Sequence, residues 1–354
     1  MKLRPAKLLF TAALGGLGML SAGADLVAAR SRRKSEYFRR KVVLITGSSR
    51  GLGLALAKEL GGRGARLVLT ARDEEELDRA HNKLLAIGAV RDEAYVVTIL
   101  ADLRSAEGAQ RLIETATSRF GRIDVLVNNA GVITVGPVEN QTVNDFHDVM
   151  DSNFFSAVHC TLAVLPQMLE RRAGAIANIT SIGGKIALPH LLPYSASKFA
   201  SVGFSEGLAA EVRSKGIQVT TVCPGLMRTG SHINATFTGD ASREYRWFSL
   251  ASNFPGLSTG VAHAARRIAD GIASGAAEVT ISPEAFLAAR FGSLSPELTR
   301  SALHVMNLLL PSSDAGPVKV SPDDAEVRDR EQHPPAKFGP ATDHPRDQAD
   351  IKAS

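Results

Sequence analysis

The chain has 354 residues, 44% hydrophobic and 22% charged, which is ample for one large core, although the length alone would also allow two domains. Its two cysteines, Cys160 and Cys223, exclude a disulfide framework and lie in apolar contexts typical of inert core residues. The net charge of +5 could indicate nucleic-acid binding. Much of the excess lies in one cluster near the N-terminus, so we expect no nucleic-acid partner, and the histidine spacing predicts no metal site.

The first element in chain order is an apolar segment at residues 8–29, rich in small residues and interrupted only by Asp25. Basic residues flank it on both sides: Lys2, Arg4 and Lys7 before it, and Arg30, Arg32, Arg33, Lys34, Arg39, Arg40 and Lys41 after it. Three interpretations compete. The segment is a cleaved signal peptide, a membrane anchor just long enough for a span of about 20 residues, or a helix lying on a membrane or on the protein itself.

The basic flank on the C-terminal side favours an uncleaved anchor, because lysine and arginine hold the following domain in the cytoplasm. We therefore expect residues 1–40 to associate the protein with a membrane, with the rest of the chain in the cytoplasm. A soluble cytoplasmic protein is the alternative.

A glycine-rich turn follows the first predicted strand. Residues 41–45 form an apolar, β-branched run typical of a strand buried on both faces, and leucines recurring every four residues predict a helix over 52–60. The turn and helix start contain Thr46, Gly47, Ser49, Arg50, Gly51, Leu52 and Gly53. Such a turn lets the backbone approach a pyrophosphate at a helix N-terminus. The spacing G-x-x-x-G-x-G differs from the usual G-x-G-x-x-G, so a turn without a ligand is the alternative.

Apolar runs alternate with helical stretches along the rest of the chain. The runs are 42–45, 67–69, 94–99, 123–127, 175–179, 217–222 and 277–281. This alternation predicts the α/β class with a doubly wound parallel sheet, the Rossmann fold, in a single domain over residues 41–282.

Tyr194 and Lys198 are four residues apart on a predicted helix, so their side chains project from one face. A phenol has a pKa of about 10, and a cation about 4 Å away lowers that pKa by roughly 3 units at an effective dielectric of about 20. The phenol would then be an effective general acid or base. An ordinary surface pair is the alternative.

The C-terminal region predicts helix over residues 283–310, in two pieces, with Pro296 opening the second. Leu298, Ala302, Val305 and Leu309 form an apolar stripe, for which subunit packing is the simplest interpretation, ahead of sealing a pocket or touching a bilayer. Residues 311–354 are rich in Pro, Asp and Lys and are expected to be disordered.

These features together resemble the short-chain dehydrogenase/reductase family in its single-domain form, over residues 41–282. Further segments fall in the order typical of the family. They are Thr46, Gly47, Gly51 and Gly53 in the turn; Asp102 and Leu103 after the third strand; Asn129, Ala130 and Gly131 of an N-N-A-G sequence; Asn153; Ser181, thirteen residues before Tyr194; and Pro224, Gly225 and Thr229.

The resemblance implies a role for each residue. Tyr194 would donate or accept the proton, Lys198 would lower the pKa of Tyr194 and bind the nicotinamide ribose, and Ser181 would hold the substrate oxygen. Asn153 would anchor a water that relays protons. Asp102 would hold the adenine amino group, and the segment from Pro224 to Thr229 would close over the carboxamide. Local backbone hydrogen bonds are the alternative for Ser181 and Asn153.

The end of the second strand predicts the cofactor. Ala71 occupies the position where NAD-using relatives carry an acid, and Arg72 follows it, with Arg50 on the same side. Arginine suits the 2′-phosphate of NADP, so we expect NADP(H), with NAD(H) as the alternative. The acids at 73–76 are interpreted as the start of the next helix.

The resemblance also implies a substrate lid over residues 231–255. This segment contains Phe237, Tyr245, Trp247, Phe248 and Phe254. These aromatic residues indicate either a lipophilic substrate or a lid packed onto the core. The predicted helices at 145–171 and 193–215 correspond to those through which family members form dimers and tetramers.

The sequence therefore predicts an NADP(H)-dependent oxidoreductase acting on a carbonyl or secondary alcohol. A cofactor-binding regulator or scaffold on the same fold is the alternative. The set Asn153, Ser181, Tyr194 and Lys198 favours the enzyme.

Overall fold

A seven-stranded parallel sheet forms the centre of the protein. The computed structural model describes residues 33–230, 234–254, 258–312, 319–321 and 323–325. The strands are β1 (Val42–Thr46), β2 (Arg66–Ala71), β3 (Val96–Leu100), β4 (Val125–Asn128), β5 (Ile133–Val135), β6 (Gly174–Ile179), β7 (Ile217–Cys223), β8 (Leu226–Arg228), β9 (Ala235–Phe237), β10 (Ser258–Gly260) and β11 (Glu278–Thr280). The helices are α1 (Gly51–Gly62), α2 (Glu74–Ala86), α3 (Ala106–Phe120), α4 (Val143–Met150), α5 (Ser156–Arg171), α6 (Leu192–Val212), α7 (Ala241–Asn253), α8 (Val261–Ser274), α9 (Pro283–Leu294) and α10 (Pro296–Leu308).

The sheet has the order β11-β7-β6-β4-β1-β2-β3, so the chain winds outward in both directions from β1 and β4. All seven predicted apolar runs coincide with these seven strands, and the prediction of a doubly wound parallel sheet is confirmed. In sheets of this kind, ligands bind beyond the carboxyl ends of the strands where the winding direction changes. That point lies here between β1 and β4.

The apolar character of β1 follows from its position in the middle of the sheet. Val43 and Ile45 face a core built with α1, α2 and α8, whereas Val42 and Leu44 face a second core built with α3 and α5. Because helices cover both faces, every residue of this strand is buried.

The long central helix contains one irregular turn. α4 and α5 are joined by a π-helical turn at Asp151–Phe155, which carries Asn153. Single turns of this kind are rare and occur mostly at functional sites. The predicted helix is therefore present over the whole of 145–171, and the π-helical turn that interrupts it includes Asn153, one of the predicted catalytic residues.

The chain enters the sheet at the edge where the strands begin. Phe38 is fully buried there, the Arg40 amide donates to the Gly64 carbonyl, and the Val42 amide donates to the Asp124 carboxylate. None of the described helices is both long and apolar enough to cross a membrane. The segment 8–29 predicted as an anchor lies outside the described residues.

The predicted break at Pro296 coincides with the start of α10, and the stripe residues Leu298, Val305 and Leu309 are exposed. The expectation of a disordered tail from Pro311 does not hold for residues 319–321. Val320 exchanges two backbone hydrogen bonds with Phe237 of β9, of 3.0 and 2.8 Å. The cause is local. Val320 is apolar and pairs with the edge of β9, and the preceding Lys319 lies beside the carboxylates of Asp145 and Asp148.

We expect Lys319→Ala to lower the free energy of unfolding by about 1–2 kcal/mol, between the values of exposed and buried ion pairs. Lys319 Nζ lies 2.6 Å from Asp145 Oδ1 and 3.1 Å from Asp148 Oδ2, and the Asp145 side chain is only 4% exposed. Urea unfolding measures the change. Lys215→Ala, at an exposed lysine, is the control and should be neutral. Equal effects of the two substitutions would contradict the prediction.

Candidate active site

A cleft of about 430 Å³ lies at the carboxyl ends of the strands, at the change of winding direction. Most residues predicted to bind a cofactor line it. They are Gly47, Ser49, Arg50, Gly51, Leu52, Gly53, Arg72, Asp102, Leu103, Asn129, Ala130, Gly131 and Thr229. Ile133 and the central-helix residues Ser152 and Ser156 also line the cleft and were not predicted, because nothing in their local sequence marks them.

The glycine turn is shaped by backbone constraints at Gly47 and Gly53. Gly47 has a φ of +61°, a conformation that other residues rarely adopt. A Cβ on Gly53 would lie 2.2 Å from the Gly47 carbonyl oxygen, so any side chain there would displace the turn. With the N-terminus of α1 opening directly from it, the turn fits a pyrophosphate.

Thr46 and Asn129 hold the two sides of the cleft together. Thr46 Oγ1 accepts from the Asn129 and Ala130 amides, both at 2.9 Å. Asn129 Nδ2 donates to the Thr46 and Gly47 carbonyls, also at 2.9 Å. Thr46 is buried and does not line the cleft. Its role here is to join the ends of β1 and β4.

Glu76 in α2 reaches the glycine turn, which sequence reasoning missed. Asp73 caps α2, as expected for acids at a helix start. The Glu76 carboxylate, however, pairs with Arg50 and accepts from Ser49 Oγ at 3.0 Å. Arg50 is therefore already neutralised by a carboxylate. Arg72 lines the same part of the cleft and forms no ion pair with a described residue. Its charge contributes to lowering the pKa of Asp102.

Asp102 also has a partner that the sequence did not predict, Arg104. Arg104 Nε lies 3.0 Å from both Asp102 carboxylate oxygens, and the Arg104 backbone amide donates to Oδ1 at 3.1 Å. These hydrogen bonds, led by that from the Arg104 side chain, lower the pKa of Asp102. The spacing Asp-x-Arg after a strand was the available signal for this turn.

Ser181, Tyr194 and Lys198 meet beside the cleft. Tyr194 and Ser181 lie on two sides of Gly183: a Cβ there would be 3.2 Å from Tyr194 Cε1 and 3.4 Å from Ser181 Oγ. Ser181 Oγ accepts from the Gly183 amide at 3.0 Å. Lys198 Nζ lies 5.6 Å from the centre of the Tyr194 ring and donates to the Ile179 carbonyl at 3.0 Å. The sequence-predicted set is thus brought together in one place.

The electrostatics of this group differ from the prediction. Burial raises the pKa of Tyr194, and the hydrogen bond from Ser181 offsets only part of that effect. Burial also lowers the pKa of Lys198 to about 8. The predicted lowering of the phenol pKa by Lys198 is not seen, because desolvation of the partly buried phenol raises its pKa.

Asn153 fixes the strand that borders this group. Its Oδ1 accepts from the Val132 amide at 2.7 Å, and its Nδ2 donates to the Val132 carbonyl and to Ser197 Oγ, both at 3.0 Å. A Cβ on Gly131 would lie 2.9 Å from Asn153 Oδ1 and 3.7 Å from Lys198 Nζ, so the amide lies close to the ammonium.

The Pro224–Gly225 segment is hydrogen-bonded to the residue that follows Ser181. The Pro224 carbonyl accepts from the Ile182 amide at 2.8 Å, and neither residue lines the cleft. In the lid, Phe237, Tyr245 and Phe248 are buried in one cluster with Val320, which favours the interpretation that these aromatic residues pack the lid. Phe254 is exposed, and residues 231–233 and 255–257 lie outside the described residues.

Comparison with known proteins identifies the family. Residues 41–237 match the model of the short chain dehydrogenase family. The chain is 40% identical over 203 residues to "Dehydrogenase/reductase SDR family protein 7-like" of Drosophila melanogaster, a match covering 57% of this chain and 61% of that protein. It is 37% identical over 238 residues to "Dehydrogenase/reductase SDR family member 7B" of Danio rerio, covering 65% and 77%.

Solved structures agree in fold. A short chain dehydrogenase/reductase from Burkholderia phymatum in complex with NAD has a TM-score of 0.66 at 26% identity, covering 74% of this chain and 95% of that one. An actinorhodin polyketide ketoreductase variant with NADPH has a TM-score of 0.59 at 31% identity, covering 68% and 95%. The chain belongs to the short-chain dehydrogenase/reductase family, a family of oxidoreductases.

Proposed function

We propose that the protein is an NADP(H)-dependent oxidoreductase that interconverts a carbonyl and a secondary alcohol on a lipophilic substrate. The observation that carries this proposal is that Tyr194, Ser181 and the buried ammonium of Lys198 lie close together, next to a cleft whose glycine turn fits a pyrophosphate. A phenol, a hydroxyl and a cation around one point can protonate and stabilise a carbonyl oxygen.

The residues of the cleft fit a nicotinamide dinucleotide. The glycine turn and Leu52 would hold its pyrophosphate, Asp102 and Leu103 its adenine, and Asn129, Ala130 and Gly131 its central part. Pro224, Gly225, Thr229, Tyr194 and Lys198 would hold the nicotinamide end. When bound, the nicotinamide supplies or accepts the hydride.

Tyr194 is the proton donor in the direction of reduction. Because burial raises its pKa, the phenol is protonated at neutral pH and has a proton to give. Ser181 Oγ–H is the second donor to the substrate oxygen. Lys198, with a pKa of about 8, is mostly charged at pH 7 and stabilises negative charge left on the phenol oxygen. Asn153 holds the backbone of Val132, just before β5, next to this group.

Arg72 is the residue we propose for NADP preference. Its guanidinium forms no ion pair with a described residue, although its charge helps to lower the pKa of Asp102, whereas Glu76 neutralises Arg50. We expect Arg72→Ala to raise the KM for NADPH roughly 10- to 100-fold, the value of a lost hydrogen bond to a charged group, and to leave the KM for NADH nearly unchanged. Steady-state kinetics with both cofactors measure this.

Arg104→Ala is the matched control for cofactor choice, since Arg104 holds Asp102, the residue proposed to bind the adenine, and its loss should affect both cofactors alike. An equal rise in both KM values for Arg72→Ala would contradict NADP preference. One of the similar solved structures contains NAD and the other NADPH, so the kinetic comparison is what distinguishes the two cofactors.

A non-catalytic NADP-binding regulator is the alternative function. A regulator needs the cleft but not the phenol, the serine and the buried ammonium. We therefore expect the purified protein to bind NADPH and to reduce ketones or aldehydes. Tight NADPH binding without turnover across a broad carbonyl screen would favour the regulator.

Two further properties belong to this proposal. Residues 8–29, with their basic flank, would attach the protein to a membrane with the catalytic domain in the cytoplasm. A homodimer or homotetramer would form through α5 and α6, whose outer faces expose Phe155 just before α5, Leu162 and Phe199. Exposed apolar residues on two neighbouring long helices are typical of subunit contacts.

A further inference from the structure

A second cavity, of about 530 Å³, lies beside the loop that links Ser181 to Tyr194. One wall is this loop, with Leu188, His190 and Leu192. The opposite wall is the end of α10 with the residues after it, including Leu308, and residues 137–139 close one side. The cavity therefore shares its wall with the segment that carries the proposed proton donor.

His190 is held rigidly in that wall. Its φ is +61°, a conformation uncommon outside glycine, and its carbonyl accepts from the Gly136 amide at 2.8 Å. The residue is 7% exposed. A buried side chain in an uncommon backbone conformation indicates that the surrounding structure fixes its position, a feature that clusters at functional sites.

Glu244 of α7 orients the imidazole. Its Oε1 lies 2.7 Å from His190 Nδ1, and its Oε2 accepts from Trp247 Nε1 at 2.5 Å. The Glu244 side chain is fully buried. With both oxygens accepting, Nδ1 carries a hydrogen, and Nε2 is left for another partner. No described residue binds Nε2.

We propose that His190 is a specificity-determining residue that binds a hydroxyl group of the substrate, at the end away from the reacting carbonyl. A hydroxyl can donate to Nε2 of neutral histidine or accept from the protonated form, so it satisfies this nitrogen in either state. The inference rests on the proposed oxidoreductase function and gives its substrate class: an apolar carbonyl compound with a distant hydroxyl.

The rest of the cavity agrees with this class. Leucines and prolines are seven of the thirteen lining residues and can contact an apolar body, while the polar groups between them can bind a hydroxyl. No lysine or arginine is among the described residues that line it, and Glu139 does line it. An anionic group would meet a carboxylate there without a cation to stabilise it.

His190→Asn tests the proposal with little other change. Asparagine tolerates a positive φ, and its amide can place a donor where Nδ1 lies, so Glu244 keeps a partner, while Nε2 is removed. The probes are benzylacetone and its para-hydroxy derivative, with binding measured by calorimetry and reduction measured by NADPH consumption. We expect the parent to bind the hydroxylated ketone about tenfold more tightly, and His190→Asn to abolish that difference while leaving benzylacetone unaffected.

Equal binding of the two ketones by the parent, or an equal loss of both in His190→Asn, would overturn the role of His190. Because binding is measured without turnover, failure of the proposed function gives a different result: no NADPH consumption with any carbonyl. A second variant, Leu308→Trp, narrows the cavity from an exposed position and should not affect folding. It should raise the KM for both aryl ketones and not for acetone. An unchanged KM would show that the cavity holds no part of the substrate.

Discussion

Replacement of Tyr194 by phenylalanine is expected to lower kcat for carbonyl reduction by about a hundredfold to ten-thousandfold, the usual contribution of a positioned general acid. Phenylalanine keeps the ring and removes only the hydroxyl proposed to donate the proton. Cofactor affinity should change little, because most of the cleft is built from other residues. The measurement is kcat with a reducible ketone, together with NADPH titration of both proteins.

The chain supplies a matched control for this substitution. Tyr37 and Lys41 have the same four-residue spacing, Lys41 Nζ lies 3.2 Å from the centre of the Tyr37 ring, and burial raises the pKa of Tyr37 as well. This pair lies at the opposite edge of the sheet. Tyr37→Phe should therefore leave kcat unchanged. Wild-type turnover by Tyr194→Phe would remove the tyrosine from the mechanism.

Lys198→Met is expected to stabilise the folded protein by about 2 kcal/mol at pH 7 while abolishing turnover. The pKa shift from 10.5 to about 8 corresponds to about 3 kcal/mol of destabilisation by the buried charge, which the substitution removes. Loss of the hydrogen bond to the Ile179 carbonyl destabilises the variant by about 1 kcal/mol. Methionine fills similar space without a charge. Active sites often carry such costs because the reaction needs the group.

The stability difference between the parent and Lys198→Met is expected to depend on pH. Below pH 8 both folded and unfolded chains hold the Lys198 proton, so the folded parent bears the full cost of the buried charge. Between pH 8 and 10.5 the unfolded chain binds more protons, and the parent gains stability as pH rises. The advantage of Lys198→Met should therefore shrink across this window, as measured by denaturant unfolding at pH 7 and pH 10.

Lys185→Met is the opposite case and serves as the control. Lys185 pairs with Glu206 at 2.8 Å and Glu278 at 3.1 Å, and these partners raise its pKa despite partial burial. The same substitution there should destabilise the protein at pH 7, because a favourable charge is lost. A destabilised Lys198→Met at every pH would contradict the assigned cost of burial.

The fold was readable from the sequence because the two faces of each central strand are covered. Val42, Val43, Leu44 and Ile45 are all apolar since they face two cores, and such runs stand out against amphipathic helices. The break before Pro296 was equally clear, since proline suits the first turn of a helix. The docking of Val320 on β9 was not readable, because a single apolar residue in a polar tail carries no periodicity.

The site was predicted where residue spacing along the chain fixes the geometry, and missed where distant segments meet. The glycine turn and the Tyr194–Lys198 pair are local patterns. Glu76 and His190 gain their roles from contacts with segments 26 and 54 residues away. The sign of the Tyr194 pKa shift was lost for a related reason: a charged neighbour is visible in sequence, whereas the degree of burial is not.

The direction in which the chain enters the sheet has a mechanical consequence. All seven strands run the same way, so Val42 begins at one edge and the cleft opens at the other. Any tether joined to the chain before Arg33 pulls on the edge where Phe38 and Arg40 are fixed. This attachment point lies at the end of the sheet away from the cleft, so a force applied there acts on Phe38 and Arg40 and not on the residues that line the cleft.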